Sequence, residues 1–199
     1  TGVDCTSPFS VNLTALQQST LLPFQVAYWP LTQQFGLRDA SSNKIEGYTN
    51  GSSYSTGPFG TVYVTNAFSH LTFPSAKLDI TLGATKNASF TMAAWVKLAS
   101  SQSIGPLLEF TTATSYAAHL WQFPTGNQLD GNPLAGGVEV SPYKTIVNCP
   151  SLLTSWTFVA FTFDATSMAC RVFCDTVLSP PLAINATSKT TPTLLAGAR

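Results

Sequence analysis

Four cysteines are the first residues here that could do chemistry: Cys5, Cys149, and the pair Cys170 and Cys174 in Ala169-Cys-Arg-Val-Phe-Cys174. Four cysteines can hold a zinc ion or form two disulfides. Zinc asks for ligand pairs at short spacing, and no second Cys or His pair accompanies Cys170 and Cys174; His70 and His119 stand alone. Oxidation is the chemistry that fits an even count. Residues four apart on an extended strand lie about 13 Å from one another. A disulfide tolerates roughly 7 Å between Cα atoms, so Cys170 and Cys174 do not bond to each other. Each turns to Cys5 or Cys149. In the simplest hairpin register Cys174 lies beside the start of the preceding strand, just downstream of Cys149. That favours Cys149–Cys174 with Cys5–Cys170, and the swapped pairing stays open.

Hydrolytic chemistry is poorly supplied. Glycoside hydrolysis needs two carboxylates flanking one bond. The chain has three glutamates, Glu46, Glu109 and Glu139, each with no other acidic residue within four positions. Glu109 and Glu139 could meet across strands, but they read as exposed strand charges. No Gly-x-Ser-x-Gly elbow is present. Gly131-Asn-Pro-Leu-Ala-Gly-Gly137 lacks the Lys-Ser/Thr of a phosphate loop and reads as a turn. The expectation is a protein that is not an enzyme.

Calcium is the one cofactor these residues leave open. It takes six to eight oxygens, with more than one carboxylate as a rule. Asp39 and Glu46 share a loop region and Asp130 follows Gly126-Asn127, but the six aspartates are scattered singly. Asp39 reads alternatively as a turn residue that bonds its own backbone, and for Asp164, at the hairpin turn, that is the preferred reading.

Two further sets concern modification and contact. Asn-x-Ser/Thr sequons begin at Asn12, Asn50, Asn87 and Asn185, each beside turn-like residues. With the cysteines they point to a secreted, N-glycosylated chain. Tyr48 and Tyr54 lie in the polar run Glu46-Gly-Tyr-Thr-Asn-Gly-Ser-Ser-Tyr-Ser-Thr56 and are expected to be exposed. Exposed tyrosines suit sugar rings and protein partners alike. Trp95 and Trp156 read as core, and Trp121 is not placed.

Charge narrows the partners. Only 9% of residues are charged, and nine basic residues balance nine acidic ones, against about 25% charged in an average domain. Nucleic acid and anionic membrane surfaces both ask for clustered Lys and Arg, and no cluster is present. No apolar run approaches the ~18 residues of a membrane span. Solubility falls to neutral polar groups, 48 of them Ser or Thr.

The elements that must position these residues are strands. Short runs rich in Val, Phe, Tyr, Trp and Thr alternate with Gly, Pro, Asn and Ser clusters, which predicts an all-β sandwich. Strands are expected at Gln25–Pro30, Thr61–Val64, His70–Phe73, Ser89–Leu98, Pro106–Phe110, His119–Phe123, Gly137–Val140, Thr157–Phe163, Ala169–Cys174 and Thr193–Ala196. Thr32 to Pro58 reads as surface loops, and Leu13 to Leu22 as a short turn at best. Asp164-Ala-Thr-Ser-Met168 is the turn of a hairpin. Along the first strand of that hairpin Trp156, Phe158 and Ala160 oppose Val159, Phe161 and Phe163, and Ser89–Leu98 is likewise apolar on both sides. Such strands are expected at the centre of a sheet, with the inner face on the facing sheet and the outer face covered by loops or by a partner.

Several separated segments together resemble laminin G-like, concanavalin A-like jelly-roll domains. They are Val26-Ala-Tyr-Trp-Pro-Leu31 with Leu37-Arg-Asp-Ala-Ser-Ser-Asn43 and Gly47, Phe90-Thr-Met-Ala-Ala-Trp-Val-Lys-Leu98, Trp156-Thr-Phe-Val-Ala-Phe-Thr-Phe-Asp164, Cys170-Arg-Val-Phe-Cys-Asp175 and Leu194-Leu-Ala-Gly-Ala198. They run in the family's order from about residue 24 to the end. The resemblance implies two curved antiparallel sheets of six or seven strands each, in jelly-roll order. Asp175 is followed by Thr176 where the family has Gly, and the family has no Cys at 170 and 174. The resulting expectation is one domain over 1–199, with a lead-in at 1–23, cut from a longer extracellular protein. Its role would be non-catalytic adhesion or recognition of a protein or glycan. A structural domain of an extracellular filament or coat is the alternative, and a glycoside hydrolase comes last.

Overall fold

The computed structural model describes residues 27–57, 60–65, 69–74, 89–99, 105–111, 116–122, 133–138, 144–183 and 193–196. Their strands form an all-β, antiparallel sandwich. One sheet has seven strands in the order β1 (Tyr48–Asn50), β4 (His70–Pro74), β14 (Thr193–Ala196), β6 (Gly105–Thr111), β7 (Tyr116–Gln122), β8 (Pro133–Val138) and β9 (Lys144–Asn148). The other runs β12 (Val177–Leu178), β11 (Ala169–Cys174), β10 (Thr157–Asp164) and β5 (Phe90–Val96), with β13 (Leu182–Ala183) also on β11. Strands β2 (Ser53–Gly57) and β3 (Gly60–Val64) pair only with each other among the described residues. A single helical turn, α1 (Ser151–Thr154), leads into β10.

The alternation of β10 decides the core. Side chains on a strand point to opposite faces in turn, so Val159, Phe161 and Phe163 face inward together and are buried. Met92 from β5 and Cys170, Val172 and Cys174 from β11 join them, and Leu71, Phe73, Leu108, Ala118, Leu120 and Val147 come from the facing sheet. This buried apolar layer is the main source of stability.

The structure corrects the core placement expected for Trp95 and Trp156. Trp95 is 50% exposed, and β5 pairs only with β10 among the described residues. Trp156 is half-buried. A period of two says that a strand has two apolar sides, but not whether anything is laid over the second one.

Boundaries shift elsewhere too. Ala27–Pro30 is not a strand, and the expected loop over 32–58 contains β1 and β2. Strand β9 has no counterpart among the expected strands. The segment at 27–47 is instead knotted by polar bonds: the Trp29 indole Nε1 donates to the Ile45 carbonyl at 2.7 Å, and its ring packs on Phe73 with centroids 4.0 Å apart.

Gly47 closes that knot, donating its N–H to the Leu37 carbonyl. A Cβ added there would lie 2.5 Å from two Phe73 ring carbons and 3.2 Å from the Thr72 carbonyl oxygen. Phe73 is buried and held by Trp29, so it has little room to yield. Gly47→Ala is expected to cost about 1–3 kcal/mol, the usual range for overpacking, and to lower the thermal unfolding midpoint. An unchanged midpoint would show that Phe73 can move aside.

Candidate functional site

Asp39 was a candidate calcium ligand, and its surroundings give it another task. Its Oδ1 accepts the backbone N–H groups of Tyr28 (2.9 Å) and Ser41 (2.8 Å). Its Oδ2 accepts the Ile45 N–H (2.9 Å) and the Ser41 hydroxyl (2.6 Å). The side chain is 3% exposed. Burial pushes its pKa up, but the bonds from Ile45, Ser41 and Tyr28 outweigh burial and hold it below the ordinary 3.8. Both oxygens are occupied by the chain itself. Glu46, its expected companion, is exposed; Asp130 lies outside the described residues. Among the described residues no three His, Cys, Asp or Glu side chains gather as a metal site.

Asp164 is likewise a turn residue. Its Oδ1 accepts the Thr166 N–H and its Oδ2 the Ser167 hydroxyl. The side chain at Asp175 binds Phe158 N–H through Oδ1 and the Ser151 hydroxyl through Oδ2. With φ near 50°, Asp175 takes the left-handed conformation that the two-residue turn into β12 requires. Asp tolerates this region better than most residues.

Glu109, expected as an exposed strand charge, is wholly buried on β6. It accepts the Trp121 indole N–H at 3.1 Å and lies opposite His119 across the β6–β7 ladder. The alternation that turns Ala118 and Leu120 into the core puts these three on the other face of the seven-stranded sheet. Burial drives the His119 pKa down to about 4, so the imidazole is neutral at pH 7. A Glu with no exposed surface offers nothing to a substrate in this conformation. Glu139 lies outside the described residues.

Tyr48 and Tyr54 are 57% and 39% exposed. The structure does not put them in one sheet. Tyr48 sits on β1, opposite Thr72. Tyr54 sits on the β2–β3 hairpin opposite Tyr63, with ring centroids 4.3 Å apart. The Tyr54 hydroxyl donates to the Tyr63 hydroxyl at 2.8 Å. Partial burial, foremost, and the adjacent Tyr54 phenol push the Tyr63 pKa up to about 12, so that phenol is a neutral hydrogen-bonding group at any physiological pH. Tyr63 went unnoticed in the sequence; strict hairpin pairing of Ser53–Gly57 with Gly60–Val64 would have found it. Gly36 approaches the Tyr54 hydroxyl, and Phe35 beside it is 42% exposed.

Of the modification residues, Asn50 is exposed at the end of β1, where Gly51 begins the turn. Asn12, Asn87 and Asn185 lie outside the described residues. Cys149 and Cys174 are joined in a disulfide with Cα atoms 5.8 Å apart. Cys170 is buried with a free thiol among the described residues, and burial pushes its pKa up to about 11. Cys5, its expected partner, lies outside the described residues. No helix among the described residues is long and apolar enough to cross a membrane.

No protein-family profile matches the chain, and no curated protein sequence matches it significantly. Among solved structures it is similar to domain 4 of AbnA, a GH43 extracellular arabinanase from Geobacillus stearothermophilus, solved in complex with arabinotriose. The match has a TM-score of 0.57 at 17% identity, over 82% of this chain and 78% of that one. At that identity the likeness carries the β-sandwich fold and nothing finer.

Proposed function

We propose that this chain is a non-catalytic, extracellular recognition module of laminin G-like, concanavalin A-like type, one domain of a longer protein, that binds a glycan or protein partner through exposed tyrosines. The observation that carries the reading is the exposure of Tyr48 and Tyr54, with Tyr54 stacked and hydrogen-bonded to Tyr63. Paired phenols offer flat apolar faces and hydroxyl groups together, as sugar rings and protein hot spots require. Three further features support it: the disulfide, the exposed Asn50 sequon, and the likeness to a sandwich domain that was solved with arabinotriose bound. The last feature favours a glycan among the two ligand classes.

The test is a glycan array and a pull-down with the purified chain, repeated with Tyr48→Ala and Tyr54→Ala. Each variant is expected to lose at least about tenfold in affinity, 1.4 kcal/mol, with little change in unfolding temperature. Binding that survives both substitutions would remove the tyrosines from the site. The structural reading, a domain of an extracellular filament or coat, is favoured by the very low charge content. Concentration-dependent self-assembly with no ligand found would select it.

A further inference from the structure

A second surface stands on the outer face of the five-stranded sheet, the sheet that carries neither Tyr48 nor Tyr54. The register fixes which side chains share it. Trp95 pairs with Phe158, Ala93 with Ala160, and Thr91 with Thr162 across β5 and β10. Across β10 and β11, Ala160 pairs with Phe173 and Thr162 with Arg171. All of these alternate with the inward-facing Met92, Val159, Phe161, Val172 and Cys174, so they point out of the sandwich.

The face is graded along the strands. At one end the exposed Trp95 ring meets Phe158 edge-on, with centroids 5.6 Å apart. Ala93 and the buried Ala160 make a low floor next to it, with Phe173 half-buried beyond. At the other end Thr91, Thr162 and the exposed Arg171 form a polar row. There a shallow depression of about 320 Å³ is lined by Thr162, Asp164, Ser167, Ala169, Arg171 and Pro181. Phe158 and Thr162 are four residues apart, about 13 Å along the strand.

We infer that this face is a binding strip for a neutral oligosaccharide of a few linked rings. An aromatic ring packs on the apolar face of a sugar, and a planar guanidinium and threonine hydroxyls serve the hydroxyl groups of the next rings. The charges select a neutral chain. The depression holds one guanidinium and one carboxylate, and the Asp164 oxygens already carry the turn through Thr166 and Ser167. A polyanionic glycan would meet a single cation beside a fixed negative charge. A protein partner would find a floor of alanines, depleted at interfaces, and threonines, under-represented among hot spots.

This inference goes beyond the tyrosine reading and does not need it. The experiment titrates the purified chain with cellotriose, mannotriose and arabinotriose by calorimetry, following tryptophan fluorescence in parallel. Trp95→Ala and Arg171→Ala should each weaken binding of the same trisaccharide by about tenfold without lowering the unfolding midpoint. Trp95→Phe, which keeps a ring, should restore most of it, and Tyr54→Ala should leave unchanged the part of the binding isotherm that Trp95→Ala removes. Binding lost with Tyr48→Ala or Tyr54→Ala but kept in Trp95→Ala would overturn the strip and leave the tyrosine reading standing. No binding of any of the three sugars would overturn it as well. So would a dimer in solution that Trp95→Ala dissociates, because the face would then belong to a second copy of the chain.

Discussion

Asp39→Ala is expected to unfold the segment at 27–47 and to lower the stability of the whole domain by about 4 kcal/mol or more. The substitution leaves three backbone N–H groups, of Tyr28, Ser41 and Ile45, and the Ser41 hydroxyl without their acceptor. Ser41 and Ile45 are themselves buried. Each unsatisfied buried donor costs about 1–3 kcal/mol, and partial access of water to Tyr28 keeps the sum toward the low end. For a domain of this size the midpoint would fall by about 10 °C. The substitution Asp39→Asn keeps one oxygen but turns an NH2 group toward donors, so it should recover only part of the loss.

The pH dependence has a fixed sign. The folded-state pKa of Asp39 lies below its unfolded value near 3.8. Its stabilisation is therefore fully present above that value and is lost as pH falls through the folded pKa. The midpoint of the native chain should drop on acidification below about pH 4. Asp164 is shifted in the same direction by Ser167 and Thr166. The Asp39→Ala chain should keep that weaker, exposed contribution and lack the larger one. Parallel midpoint-against-pH curves for the two proteins would refute the assignment. The same bonds bear on calcium, because a carboxylate already saturated by the chain would have to abandon four partners to take a cation.

Asp39 also shows what the sequence could and could not say. An Asp in Leu37-Arg-Asp-Ala-Ser41 reads as a turn residue from its own surroundings, since Asx side chains bond the backbone two residues on; the Ser41 bond is that one. The bonds to Tyr28 and Ile45 span 11 and 6 positions, and no local pattern announces them. Strands rich in apolar residues were legible. Ala169–Cys174 and Thr193–Ala196 are observed with the expected limits. Strands β1 and β2 were not, because Tyr48-Thr-Asn50 and Ser53-Tyr-Ser-Thr-Gly57 are exposed along almost their whole length and show no apolar alternation. Trp95 fails for the opposite reason: its strand alternates well, but burial of its second face depends on what is laid over it. The exposure of Tyr48 and Tyr54 was legible from the polar run around them. The Tyr54–Tyr63 pair was not, because it depends on the hairpin register.

Loss of the Cys149–Cys174 disulfide should be the second large effect. The bond closes a loop of 25 residues' separation, and loop-closure entropy for that length amounts to about 3.5 kcal/mol. Reduction, or Cys149→Ser with Cys174→Ser, should lower the midpoint by roughly 7–14 °C. The location gives the loss a local consequence. The bond ties the segment entering α1 to the end of β11, next to the place where Asp175 and Phe158 bond each other twice through main chain and carboxylate. Freed from it, the Phe158 end of β10 should fray first, and Trp95, which rests on Phe158, should change its fluorescence before the core melts. Cys170→Ser separates this from a general effect of thiol loss: it buries a hydroxyl opposite Phe163 but leaves the loop closed, so the early fluorescence change should be absent. The buried Cys170 thiol, with its raised pKa, should also resist alkylation in the folded chain. Non-reducing peptide mapping decides the pairing directly. A peptide linking Cys149 to Cys170 would refute the observed connection, and with it the local order of unfolding derived from it.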